Sequence, residues 1–147
     1  MIPAYHQGYV VDASVLTKWF VERDEPDRDR ALALKEFHTS GRCTIYGTEL
    51  TFLEVLNAIP FGSRATEEHG ARAIAGLEGL HLTIRAADFQ LLRKANAIAW
   101  AYKITIYDAL YVALAEHLGY PLITADEVML KKLRGHSIVV PLRELEF

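Results

Sequence analysis

Between Ile104 and Asp126 the chain reads ITIYDALYVALAEHLGYPLITAD, an apolar helix–loop–strand unit with a carboxylate at each of two element junctions. The spacing predicts a helix from Ile106 to Leu118. Ala109, Leu110, Tyr111, Val112, Ala113, Leu114 and Ala115 leave it no solvated face before Glu116 and His117, and a helix apolar all round is a buried one. Gly119 supplies a stop, Pro121 forbids continuation, and Leu122-Ile123-Thr124 then reads as a buried strand. Asp108 therefore stands in the first turn of a buried helix and Asp126 just past a buried strand. In open α/β sheets, ligands bind at the carboxyl ends of strands and helix N-termini face the same edge, so both acids are placed to share one crevice. A second reading stands beside this: Thr105 with Asp108 fits a T-x-x-D cap, and Thr124 with Glu127 a T-x-x-E capping box.

The rest of the chain repeats the alternation. Gly8 to Val11 is a β-branched run ending at Asp12, and Ser14 to Val21 has helical spacing. Asp12 thus ends a strand as Asp126 does, although Asp12 and Ser14 both suit an N-cap. Glu22 to Arg30 is a mixed-charge loop leading into a helix near Asp27 to Thr39, and Cys43 to Tyr46 is the next strand. A helix runs from Thr48 to Ile59 before Pro60 breaks it. Its apolar residues bury most of it, leaving one narrow polar stripe of Thr51, Glu54 and Asn57. Glu54 is either a solvated edge residue or a carboxylate that needs a partner or a cation. A helix over Thr66 to Leu77 closed by Gly79, a strand at His81 to Ile84 and a helix from Ala87 to Tyr102 come next. After the opening unit come a short helix, Glu127 to Leu133, a strand, Ser137 to Val140, and a tail, Leu142 to Phe147. Alternating strands and helices without repeats predict a doubly wound α/β fold: one parallel sheet with helices on both faces, in a single domain spanning 1–147.

Composition narrows the function classes. No run approaches the roughly 18 apolar residues of a membrane span, and the N-terminus lacks a basic segment before a long apolar core, so no membrane partner is expected and the expected location is cytoplasmic. The single Cys43 rules out an intramolecular disulfide and any CxxC knuckle. A net charge of −3 gives no global basic footprint for coating nucleic acid. It leaves room for an enzyme whose acids bind metal ions, because the metal then supplies positive charge locally.

Familiar catalytic devices are absent. There is no G-x-G-x-x-G, P-loop, H-E-x-x-H or G-x-S-x-G, and the six histidines read as surface or edge residues. What remains is a set of carboxylates at element ends: Asp12, Glu54, Asp108 and Asp126. Like charges in one crevice repel unless a cation holds them. Oxygen-only ligands suit Mg²⁺ or Mn²⁺, one or two of which polarise a phosphodiester and activate water for in-line attack.

With these residues in view the chain resembles the PIN-domain ribonucleases, specifically the VapC-type toxins of prokaryotic toxin–antitoxin pairs. The likeness is carried by VVDASVLTKWF at the start, LTFLEVLNAI in the middle and TIYDALYVALAEHLGYPLITAD near the end. It implies a compact parallel-sheet α/β/α sandwich whose acids bind Mg²⁺ or Mn²⁺ and hydrolyse RNA, leaving 5′-phosphate and 3′-hydroxyl ends. Asp12, Glu54 and Asp108 fall on the family's three acids and Asp126 on the fourth, with Ser14, Asn57 and Thr124 as accessory polar positions. The resemblance further implies a homodimer and a small antitoxin whose tail occupies the active-site groove. Lys18, Arg93, Lys94, Lys131, Lys132 and Arg134 are candidates for holding RNA phosphates. Two features depart from the family pattern: Pro60 follows the second motif where a helix commonly continues, and Glu127 adjoins Asp126, leaving open which acid reaches a second metal.

Two rivals differ in class. A non-catalytic RNA- or protein-binding module would use the same groove without metal-dependent turnover. A haloacid-dehalogenase-like phosphatase would need a D-x-D signature, where this chain has Ser14.

Overall fold

The computed structural model describes residues 7–21, 24–59 and 64–147. Its elements follow the chain as β1 (Gln7–Val11), α1 (Ala13–Phe20), α2 (Arg28–Thr39), β2 (Cys43–Gly47), α3 (Glu49–Ala58), α4 (Glu67–Leu80), β3 (Thr83–Ile84), α5 (Phe89–Tyr102), α6 (Ile106–Leu118), β4 (Leu122–Thr124), α7 (Glu127–Lys132), β5 (Val139–Pro141) and a 3₁₀ turn at Leu142–Glu144. All strand pairs are parallel and the order is β3-β2-β1-β4-β5. The chain builds outward from β1 to β3, then crosses back to lay β4 on the other side of β1. That reversal opens a crevice at the carboxyl ends of β1 and β4, where doubly wound sheets bind their ligands.

Strand alternation divides the core in two. Tyr9, Val11 and Ile123 face one layer with α1, α2, α3 and α4, through Leu16, Trp19, Leu34, Val55 and Leu77. Val10 and Leu122 face the other with α5, α6 and α7, through Leu91, Ala95, Leu110, Leu114 and Met129. The parallel sheet with helices on both faces is thus as expected. Helix α6 is buried at seven consecutive positions, Ala109 to Ala115, wedged between the sheet and α5. Among the described residues no helix is long and apolar enough to cross a membrane.

Several boundaries differ from expectation, each for a local reason. Helix α4 passes Gly79 and ends at Leu80, because Leu77 and Leu80 pack into the core and His81 takes the left-handed conformation (φ 50°) that stops it. His81 is therefore outside β3. Helix α5 begins at Phe89 instead of Ala87, since Asp88 caps it by accepting from the Leu91 amide at 2.8 Å. Strand β5 is displaced to Val139–Pro141; as an edge strand it tolerates proline, which has no amide to donate. Leu142 to Phe147 is not a loose tail, as Leu142 and Leu145 join the core and Phe147 packs edge-on against Phe37. Nor is His38 a plain surface histidine: Nε2 meets the Leu80 carbonyl at 2.7 Å and Nδ1 accepts from the Ile45 amide at 3.3 Å. Pro60, and with it the question of how α3 continues, lies outside the described residues.

Leu122 is fully buried in β4 at the centre of the sheet. Leu122→Ala is expected to cost about 2–5 kcal/mol, read as a fall in denaturant midpoint with unchanged slope. A loss below about 1 kcal/mol would show that this layer refills the space.

Candidate active site

The carboxyl end of β1 delivers Asp12, which is almost completely buried. A buried charge must be hydrogen-bonded, and Asp12 is bonded on both oxygens. Oδ1 accepts from the Ser14 amide at 3.1 Å, capping α1, and from Ser14 Oγ at 2.5 Å. Oδ2 accepts from Thr124 Oγ1 at 2.6 Å. The two hydroxyls are themselves oriented: Ser14 Oγ accepts from the Ala125 amide at 2.9 Å, and Thr124 Oγ1 from the Asp126 amide at 3.1 Å. With each oxygen receiving a backbone proton, each hydroxyl's own proton is directed at Asp12. Asp12, rather than Ser14, is therefore the cap of α1. Thr124 likewise makes no capping box with Glu127; it serves Asp12, while Asp126 caps α7 through Oδ1, which accepts from the Val128 and Met129 amides at 2.9 and 3.0 Å.

Two helices bring the other acids to this corner. Thr105 caps α6 by accepting from the Asp108 amide at 3.1 Å, and the half-buried Asp108 carboxylate closes no capping box on the Thr105 amide. Helix α3 carries Glu54, whose Oε1 accepts from the Tyr111 hydroxyl at 3.4 Å. The four acids act on one another. Burial first, then the charges of Asp126 and Asp108, raise the Asp12 carboxyl to about 6 against the pull of Ser14 and Thr124. Burial, then Asp12 and Asp108, raise Glu54 to about 7. Asp108 is raised by burial and then by Asp126, while a hydrogen bond with the Thr105 side chain and, after it, the charge of Lys132 work the other way.

Of the expected accessory residues, Ser14 and Thr124 hydrogen-bond Asp12 directly. Asn57 is exposed, and its side chain forms no hydrogen bond with a described residue. Thr51, expected in the same stripe, instead accepts from the Thr48 amide at the start of α3 (3.3 Å). Between the two adjacent acids, Asp126 faces the cluster, whereas Glu127 is exposed and pairs with Arg143 at 2.5 Å. Sequence reasoning misses Tyr111, which stands inside an apolar run. Its hydroxyl contact to Glu54 spans 57 residues of sequence, a proximity that no local pattern encodes.

The candidate cations separate similarly. Lys18 is buried against Glu25 at 3.1 Å, so it is not an RNA-facing lysine, and Lys94 pairs with Glu116 at 3.3 Å. Lys132 donates to the Lys103 carbonyl at 3.1 Å. Arg93, Lys131 and Arg134 are exposed.

The sequence profile of the PIN domain matches residues 9–135. The chain belongs to the PIN-domain family. This PIN domain is 30% identical over 129 residues to ribonuclease VapC3 of Pyrobaculum aerophilum, an overlap covering 84% of this chain and 92% of that relative. Among solved structures it resembles PAE2754, also from Pyrobaculum aerophilum, with a TM-score of 0.63 and 25% identity over 95% of this chain and 93% of that one. It also resembles a toxin–antitoxin complex from Klebsiella pneumoniae, with a TM-score of 0.66 and 19% identity over 93% and 99% of the two chains, a likeness of fold.

The donor chemistry of the PIN crevice fits a hard divalent cation: its acids are oxygen-only, and crowding of their charges raises Asp12, Glu54 and Asp108. Among the described residues no three Asp, Glu, His or Cys side chains stand so placed that together they could hold a metal ion. An ion such as Mg²⁺ keeps several waters and needs one or two carboxylates besides substrate phosphate.

The raised acids make the metal-free protein pH-sensitive. Because Glu54 binds its proton more tightly when folded, its contribution to stability is complete below its ordinary pKa of 4.5 and is lost as pH rises through about 7. Glu54→Gln should therefore gain thermal stability relative to wild type between pH 5 and pH 8 in chelator-treated protein. A melting-temperature gap that stays constant over that range counts against charge crowding at Glu54.

Proposed function

We propose that this PIN domain is a metal-dependent endoribonuclease, using Mg²⁺ or Mn²⁺, and the toxin of a type II toxin–antitoxin pair. The observation that supports the reading is the placement of Asp12 and Asp126 just past the ends of β1 and β4, with the charges of Asp108 and Asp126 felt at both Asp12 and Glu54. The 30% identity to a protein named a ribonuclease supports RNA as substrate, and the likeness to a toxin–antitoxin complex supports an antitoxin partner. The domain extends over 1–147: the profile match ends at Gly135, yet β5 pairs with β4 and Leu142 and Leu145 are buried in the core. The expected cytoplasmic location accords with the single, unpaired and buried Cys43.

In this reading Asp12, Asp108 and Asp126 would supply carboxylates to the cation, one or two directly and the rest through its waters, and Glu54 would help position it. When bound, the cation stabilises charge on the scissile phosphate and lowers the pKa of the attacking water. The chain's own contribution is preorganisation. Ser14 and Thr124 fix Asp12 in one orientation and favour its carboxylate form. Glu54, contacted on one oxygen by the Tyr111 hydroxyl, has Oε2 for the water that attacks phosphorus and for the proton that water gives up. In-line attack displaces the 3′-oxygen and leaves 5′-phosphate and 3′-hydroxyl ends.

Asp108→Asn preserves the size of the side chain and removes its charge, and it should reduce Mg²⁺- or Mn²⁺-dependent cleavage of RNA at least about 100-fold with the fold intact. Undiminished cleavage would remove Asp108 from the mechanism, and metal-independent RNA binding without turnover would favour the non-catalytic binding module.

The homodimer is proposed on the exposed apolar residues of adjoining helices, Leu53 on α3 and Ile74 on α4. Sedimentation should show a dimer that Leu53→Glu with Ile74→Glu converts to monomer; an unchanged sedimentation coefficient moves the interface elsewhere.

A further inference from the structure

A polyanion approaching four carboxylates on a chain of net charge −3 is repelled unless cations line its path. The described residues contain a cleft of about 530 Å³ between α7 and the β5–3₁₀ corner, with Lys131, Arg134 and Arg143 among its walls. None of the four acids lines it, but it adjoins them through the chain. Glu127, on its rim, is the neighbour of Asp126, and Pro141 pairs in register with Thr124, which hydrogen-bonds Asp12. Lys131 and Arg134 form no ion pair with any described residue. Arg143 is held only by Glu127, and both partners are substantially exposed, at 46% and 73%. Such a pair contributes little, so the guanidinium is free to exchange a carboxylate for a phosphate, whose oxygens it matches two at a time.

We propose that this cleft is the track by which single-stranded RNA reaches the acid site, its phosphates held by Lys131, Arg134 and Arg143. The inference rests on the nuclease reading and adds a route to it. RNA suits the cleft better than a protein partner does. Beside Glu127 and Glu144 its lining offers separated cations, and it has no Phe, Tyr or Trp, whereas protein hot spots are built on large buried anchors such as Trp and Tyr. A second cationic cleft, with Arg85, Lys94 and His117 among its lining, does not serve. At about 3.6 residues per turn, His117 lies on the opposite side of α6 from Asp108.

The test uses full-length Asp108→Asn protein, which binds without cutting, and a labelled single-stranded oligoribonucleotide titrated from about 50 to 200 mM salt in Mg²⁺. Each lost phosphate contact flattens the log–log salt dependence by about 0.7. Adding Lys131→Gln, Arg134→Gln and Arg143→Gln should weaken binding and flatten the slope by about 2. Lys131→Arg with Arg134→Lys and Arg143→Lys should keep the slope, and Arg72→Gln on α4 should leave it unchanged. A thermal melt of each variant confirms that it is folded. If the triple glutamine variant binds with the parent slope, the track is wrong and the nuclease reading stands. The same holds if it loses a protein partner while keeping RNA. If the parent binds no RNA, the nuclease reading fails and the track with it.

Discussion

The structure depends on a buried carboxylate that has been given enough partners to exist. Asp12 sits where β1 ends and is closed off from solvent. Uncompensated, such a charge would cost several kcal/mol or stay protonated. Ser14 comes from the helix after β1, while Thr124 and the amides of Ala125 and Asp126 come from the end of β4. The polar network therefore ties together two strands more than a hundred residues apart at the point where the sheet reverses direction. Fold and chemistry share these bonds: the contacts that make the crevice rigid also set the orientation of the acid within it.

Much of this is legible in the sequence because it is local. The run from Ile106 to Leu118 marks itself as buried, since almost nothing in it accepts solvent, and Gly119 and Pro121 set its end. Strands that stop at an acid identify Asp12 and Asp126 without a structure. What escapes is set by contacts distant along the chain. In the sequence Tyr111 is one more apolar residue, Thr51 part of a polar stripe and Lys18 a surface cation, until packing gives each its partner. Arg143, beyond the last predicted strand, becomes visible only when β5 folds its segment against α7.

Capping and site chemistry are competing accounts of the same acids, and they prove compatible for physical reasons. Asp126 gives one oxygen to two amides of α7 and retains the other, while Asp108 leaves capping to Thr105. A carboxylate at a helix start has acceptor capacity beyond the amides it caps, and helix N-termini favour negative charge. The like charges gathered here are thus partly offset by backbone dipoles and partly left in conflict, which is the condition in which a cation binds.

The encasement of α6 has a mechanical consequence. With seven successive residues inside the core, Ala109 to Ala115, the body of the helix opens only with the domain. Asp108 stands one residue before that block and one after the exposed Ile106 and Tyr107, so its backbone is anchored to the fixed helix while its half-buried carboxylate keeps room to turn. An acid mounted in this way offers a cation a fixed base and a movable arm.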